Sequence, residues 1–80
     1  MEIQNMKSLD DIEEGKEAKV LNILGGMGVR QHLSTIGIHV GDTVLVKRHA
    51  VLGGPILIEV HGSEVALGRG VASKVQVEDV

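Results

Sequence analysis

The sequence predicts a mainly β fold: a small closed barrel of five short strands with one short helix inserted. Three observations carry this prediction. Runs such as Thr43–His49 and Ile56–His61 alternate apolar with polar residues, the period of a half-buried strand. Glycine-rich turn signals follow one another at close spacing between these runs. Over Val29–Ile36 the period changes, because Val29, Leu33 and Ile36 recur at helical spacing. Five short strands with such turns favour closure, which protects edges that an open sheet exposes.

The elements follow in chain order. Ser8 is placed to cap a helical turn over Leu9–Glu14, with Asp10 and Asp11 at its positive end and Gly15 as its stop. Lys16–Leu24 reads as the first strand, with Ala18 and Val20 sharing a face. Gly25, Gly26 and Gly28 form a loose entry to the helix, which Gly37 ends because glycine accepts positive φ. The turn Val40-Gly41-Asp42 leads into the second strand, Thr43–His49. Val51-Leu52-Gly53-Gly54-Pro55 is a turn, and Pro55 sets an extended start for the third strand, Ile56–His61. Gly62-Ser63 is the expected hairpin turn, and Glu64–Leu67 returns along the partner with Val65 and Leu67 inward. A bend over Gly68–Ser73 precedes a last strand marked by Val75 and Val77.

Composition excludes several functions. With 80 residues the chain is one domain, residues 1–80, near the lower size at which a core alone holds a fold. It has no cysteine, which removes disulfides, thiolate metal sites and cysteine nucleophiles. It also has no aromatic residue, so Val, Ile, Leu, Ala and Met must build the core. Proline-rich peptide grooves and base-stacking platforms need the missing rings. A net charge of −3 argues against a general phosphate-backbone binder, so no nucleic acid is expected. The short basic run Lys47-Arg48-His49 reads as a solvated outer strand edge. Neither a signal-peptide core nor a membrane-spanning run is present, so a cytoplasmic protein without membrane insertion is expected.

No enzyme signature stands out. Ser34, Thr35, Ser63 and Ser73 lie in or near turns, but none sits in a nucleophile elbow, and no His–Asp pair has a local arrangement that would activate one. The Gly25-Gly26-Met27-Gly28 loop lacks the lysine of a phosphate-binding loop and reads as a flexible connection. His32, His39, His49 and His61, with Asp42, Glu59 and Glu64, permit divalent-metal chemistry, yet no pair falls at metal-binding spacing. No metal ligand is assigned, and no cofactor beyond weak binding of Fe2+ or another divalent ion is expected.

The order of motifs resembles one family. A strand and a glycine loop precede R-x-x-L-x-x-I-G-I-x-x-G-D-x-V at Arg30–Val44; L-G-G-P-I follows at Leu52–Ile56, then V-A-L-G-R-G-V-A at Val65–Ala72. In this order they resemble FeoA, the small protein of bacterial ferrous-iron transport, from about Leu9 to Val77. The family's leucine-glycine-leucine helix end is matched by Ile36-Gly37-Ile38, and its proline-glycine turn by Val40-Gly41. Its P-L-G-x-P turn appears as Val51–Pro55, with valine for the first proline. Its L-R-R-x-x-A appears as Leu67–Ala72, with Gly68 for the first arginine.

The resemblance implies an SH3-like β-barrel and an accessory role: docking on the cytoplasmic side of the FeoB-type membrane transporter and modulating it, as a monomer or weak homodimer. The same fold forms the C-terminal domain of iron-dependent repressors, so a metal-sensing or metal-binding SH3-like domain is the alternative. The chain starts with Met and has no room for a DNA-reading helix-turn-helix, so a free-standing protein is expected. The interaction surface expected from the residues comprises Arg30 and Leu33 on the helix, and Leu52, Gly53 and Gly54 at the turn. Leu33 on the inward stripe also suits the core, and Leu52 suits either an exposed tip or a plug of the barrel end.

Overall fold

A computed structural model describes residues 7–80. Strands β1 (Lys7–Ser8), β2 (Glu17–Ile23), β3 (Thr43–His49), β4 (Ile56–Val60), β5 (Ser63–Leu67) and β6 (Val75–Asp79) form one antiparallel sheet in the order β1-β6-β2-β3-β4-β5. Helix α1 (Met27–Thr35) connects β2 to β3, and a short helix α2 (Arg69–Ala72) connects β5 to β6. The fold is mainly β and SH3-like, as expected, but it has six described strands rather than five. The added strand, β1, is two residues long and pairs Lys7 with Val77 and Ser8 with Gln76. The expected closure by hydrogen bonds is absent among the described residues, where β5 and β1 remain the two edges. Instead, α2 leaves β5 and packs against the 3-10 turn Leu9–Asp11 that follows β1. Ala72 and Leu9 are fully buried there, so side chains close one end of the seam.

The curled sheet encloses an aliphatic core. Ala18 and Val20 of β2, Val44 and Val46 of β3, Ile56 and Ile58 of β4, Leu67 of β5, and Val75 and Val77 of β6 are fully buried. Period 2 places these residues on one face of each strand. Leu33 and Ile38 cover the core from the α1 side, with Val29 and Ile36 half-buried beside them. Two bulges curve the sheet: the register shifts between Val20 and Asn22, and again between Val46 and Arg48. Leu21 and Lys47 are the extra residues, and both are exposed.

Local boundaries differ from expectation for identifiable reasons. Helix α1 begins at Met27 rather than Val29, because the extended backbone of Gly26 serves as its N-cap. It ends in a Schellman motif: Gly37 has φ +91°, its N–H donates to the Ser34 carbonyl at 3.0 Å, and the Ile38 N–H donates to the Leu33 carbonyl at 2.9 Å. The first helical turn spans only Leu9–Asp11. Its Ser8 hydroxyl donates to the Asp10 carboxylate at 2.5 Å, while Asp11 accepts the Ser8 backbone N–H at 3.1 Å. The β4–β5 hairpin turns at His61-Gly62, one residue earlier than expected, with φ +53° and +79°. Positive φ at both central residues is the geometry that suits a two-residue hairpin. Finally, β3 lies between β2 and β4, so Lys47-Arg48-His49 is not an outer edge.

Candidate functional site

The candidate residues fall at two ends of β3. Both attachments of α1, Ile23 of β2 and the loop leading to Thr43, lie at the starting end of β3, because Lys19 pairs with Thr43. The turn Val51–Gly53 leaves from the other end, after His49. Seven residues of β3 lie between them, on the order of 20 Å of strand.

At the far end, the turn presents an apolar tip. Ala50 N–H donates to the Pro55 carbonyl at 3.0 Å, and Gly54 N–H donates to the Val51 carbonyl at 3.3 Å. These bonds close the loop on itself. Leu52 has φ +59° and ψ +36°, a left-handed backbone that is uncommon for leucine. Its side chain is fully exposed, with Val51 largely exposed beside it, so it does not plug the barrel. Gly53 shares the positive φ at +75°. Gly54 is required by space: a Cβ there would lie 2.8 Å from the Ala50 Cβ. A self-bonded loop therefore holds a leucine in solvent, in a conformation with a backbone cost and no compensating burial.

At the other end, Arg30 is exposed on α1, where the sequence places it. Leu33 requires a correction. It is fully buried against Ile38 and the sheet, so it holds the helix to the core and contributes no surface. The helical stripe that suggested a contact face is the face the barrel consumes.

The structure also joins residues that sequence spacing left apart. Asp42 Oδ2 accepts the His39 backbone N–H at 2.7 Å, and Asp42 Oδ1 lies 3.1 Å from His61 Nε2. His39 Nδ1 is 3.5 Å from Asp42 Oδ2, and His39 Nε2 is 3.2 Å from the Ser34 hydroxyl. A Ser–His–Asp succession thus exists, although the sequence shows no local His–Asp arrangement that would activate a serine. It does not form a nucleophile site. Ser34 lies in the last turn of α1, at the negative end of the helix dipole, where a developing oxyanion is opposed. The network ties the α1–β3 loop to the β4–β5 hairpin. His32 and His49 take no part, and His49 Nε2 instead contacts the Ile12 carbonyl at 2.6 Å. Among the described residues, no three His, Asp or Glu side chains are grouped to hold a metal ion.

Two lysines of the sheet, Lys47 and Lys7, form ion pairs. Lys47, turned out by its bulge, reaches Glu64 at 2.6 Å and Glu59 at 3.5 Å. The Glu64 hydrogen bond, then its charge, raises the Lys47 pKa above the usual lysine value. Lys7 is raised likewise by its hydrogen bond and charge pairing with Asp79, 2.7 Å away. A polar hollow of about 380 Å³, lined by Lys7, Asp11, Lys16, Glu17 and Asp79 among others, contains none of the candidate residues. No described helix is long and apolar enough to cross a membrane.

Comparison with known proteins follows this geometry. The FeoA domain model matches residues 7–79. A Methanocaldococcus jannaschii protein, provisionally named Fe(2+) transport protein A, is 42% identical over 67 residues, covering 84% of this chain and 79% of the relative. The crystal structure of an iron uptake regulatory protein (FeoA) superposes with a TM-score of 0.85 at 35% identity, covering 96% of this chain and 100% of that one. A manganese-dependent transcriptional repressor in complex with manganese superposes with a TM-score of 0.89 at 20% identity, covering 98% of this chain but 38% of the repressor. That last likeness is one of fold.

Proposed function

Because this chain belongs to the FeoA domain family, we propose that it is a cytoplasmic, non-catalytic accessory protein of ferrous-iron uptake that docks on the cytoplasmic side of a FeoB-type membrane transporter and modulates it. The observation that carries this reading is Leu52, fully exposed on a left-handed backbone at the tip of a self-bonded loop. Backbone strain and full exposure both cost stability in the isolated protein, and a receiving apolar surface on a partner offsets the second. Gly53 and Gly54 support the tip by adopting and permitting its geometry. Arg30, on the exposed side of α1, supplies a separate charged contact.

Co-purification with the transporter, with and without guanine nucleotide, tests the reading. Retention in at least one nucleotide state is expected, together with loss of ferrous-iron uptake in cells lacking the protein. A transporter that never retains the chain, in any nucleotide state, removes the docking role.

A further inference from the structure

Natural sheets blunt their edges with short strands, lysine, proline or bulges, because an edge presents unpaired backbone groups to any passing strand. One edge here obeys that rule among the described residues, where β1 comprises Lys7 and Ser8 and so carries a lysine. The other does not. Strand β5, Ser63-Glu64-Val65-Ala66-Leu67, runs five residues in unbroken register with β4, from Val60↔Ser63 to Ile56↔Leu67, and contains no lysine, proline or bulge. Its one charged residue, Glu64, is held by Lys47 at 2.6 Å and neutralised there.

The register shows which backbone groups face outward. In a two-residue hairpin the pair flanking the turn is hydrogen-bonded, and bonded pairs alternate with non-bonded ones. Val60↔Ser63, Ile58↔Val65 and Ile56↔Leu67 are therefore the bonded pairs. The N–H and C=O groups of Glu64 and Ala66 point away from β4, and no described strand pairs with them.

A second, independent feature lies at the end of this edge. Arg69 follows β5 by two residues and opens α2, the helix that spans from β5 to the turn after β1. The residue is half-buried, and its Nε is buried without a hydrogen-bond partner among the described residues. No described carboxylate lies within 4.0 Å of its guanidinium, although the chain carries 11 acidic residues. The Nε is closed to an incoming group, but the half-buried guanidinium as a whole has no ionic partner among the described residues, and a carboxylate is its best one.

We propose that the β5 edge, ending at Arg69, is a docking strip for an extended segment of a partner protein that carries a carboxylate. The segment adds a strand beside β5, bonding to the outward groups of Glu64 and Ala66, and its carboxylate meets Arg69. This surface is distinct from the Leu52 tip, and its test does not involve the transporter, so the two readings stand or fall separately.

The probe is an N-acetylated heptapeptide of alternating threonine and valine with a free C-terminal carboxylate, titrated into the isotopically labelled full chain. Amide signals of Glu64 and Ala66 should move most, and exchange of those two amides should slow. Amidating the peptide terminus, or substituting Arg69→Gln, should each weaken binding about tenfold, the worth of one charge-assisted hydrogen bond. Ala66→Pro removes an outward N–H only and should abolish binding while the Val65 amide stays protected. Should that variant fail to fold, a peptide N-methylated at its central residues supplies the same test from the other side, and it should not bind. Unmoved β5 amides at millimolar peptide overturn the proposal, as does an Arg69→Gln variant that binds with full affinity. Concentration-dependent β5 shifts without peptide would show a second copy as the occupant and overturn it equally.

Discussion

Lys47 Nζ lies 2.6 Å from Glu64 Oε2, and that contact links β3 to a strand it does not border in the sheet. The bulge between Val46 and Arg48 makes it feasible by turning Lys47 out of the regular pleat. Glu59 and Glu64 are direct cross-strand partners, a like-charge pairing that is unfavourable unless a cation stands between them. Lys47 is that cation.

Lys47→Met should therefore lower the melting temperature through repulsion between Glu59 and Glu64. The Lys47 pKa is raised, first by the Glu64 hydrogen bond and then by its charge, so the lysine's contribution is fully present below its ordinary value of 10.5 and is lost as pH rises through the raised one. The difference between wild type and variant should be greatest near neutral pH and shrink in strong alkali. It should also shrink in molar salt, because the pair is exposed. Melting curves across pH check this; a constant difference would show that packing of the lysine stem is responsible.

Gly37→Val tests the helix stop. Nothing lies within 4 Å of a Cβ at Gly37, so any loss reports backbone strain at φ +91° rather than a clash. About 1–2 kcal/mol of destabilisation is expected in urea unfolding.

Leu52→Gly should raise stability by about 1 kcal/mol, since glycine relieves the left-handed strain and no buried contact is lost. The same change should weaken transporter association. Leu52→Ser should weaken association with stability altered by less than about 0.5 kcal/mol. Greater stability with poorer docking is a combination that a purely structural role for Leu52 does not produce.

Gly54→Ala brings a Cβ to within 2.8 Å of the Ala50 Cβ, a contact that no flexible side-chain end can relieve. A loss of about 1 kcal/mol or more is expected, with displacement of the Leu52 tip and reduced docking.

Arg30→Glu leaves the core untouched, since the residue is exposed. Folding should change by within about 0.5 kcal/mol. Any loss of association should fade as ionic strength rises, whereas the Leu52→Ser loss should persist. Full transporter binding by both folded variants would move the interface elsewhere on the barrel.

The core was legible because aliphatic alternation in β2–β6 follows burial directly: Val44, Val46, Ile56 and Ile58 point where period 2 sends them. The Gly37 stop was legible because glycine marks positive φ. Strand β1 was not, since two residues carry no period. The open seam was equally hidden, as it depends on which strands meet after the chain has turned several times. At the site, Leu33 and Leu52 were each open to a buried and an exposed reading in the sequence, and packing decided both, burying Leu33 and exposing Leu52. The Asp42 network joins residues up to 19 positions apart and leaves no spacing signal. Arg69 stood in the Leu67–Ala72 motif without a role until its Nε proved to lack a partner among the described residues.

The placement of α1 and the Val51–Gly53 turn at opposite ends of β3 sets a gauge. Strand β3 is hydrogen-bonded on both sides, to β2 and β4, so its length cannot adjust without breaking two ladders at once. A partner that touches both Arg30 and Leu52 must present its two receiving surfaces at a matching fixed interval, like jaws set to one width. Inserting two residues into β3 would preserve the inward and outward alternation yet widen that interval by about 7 Å. A partner gripping both ends would then lose one of its two holds, even though every contacting side chain remained intact.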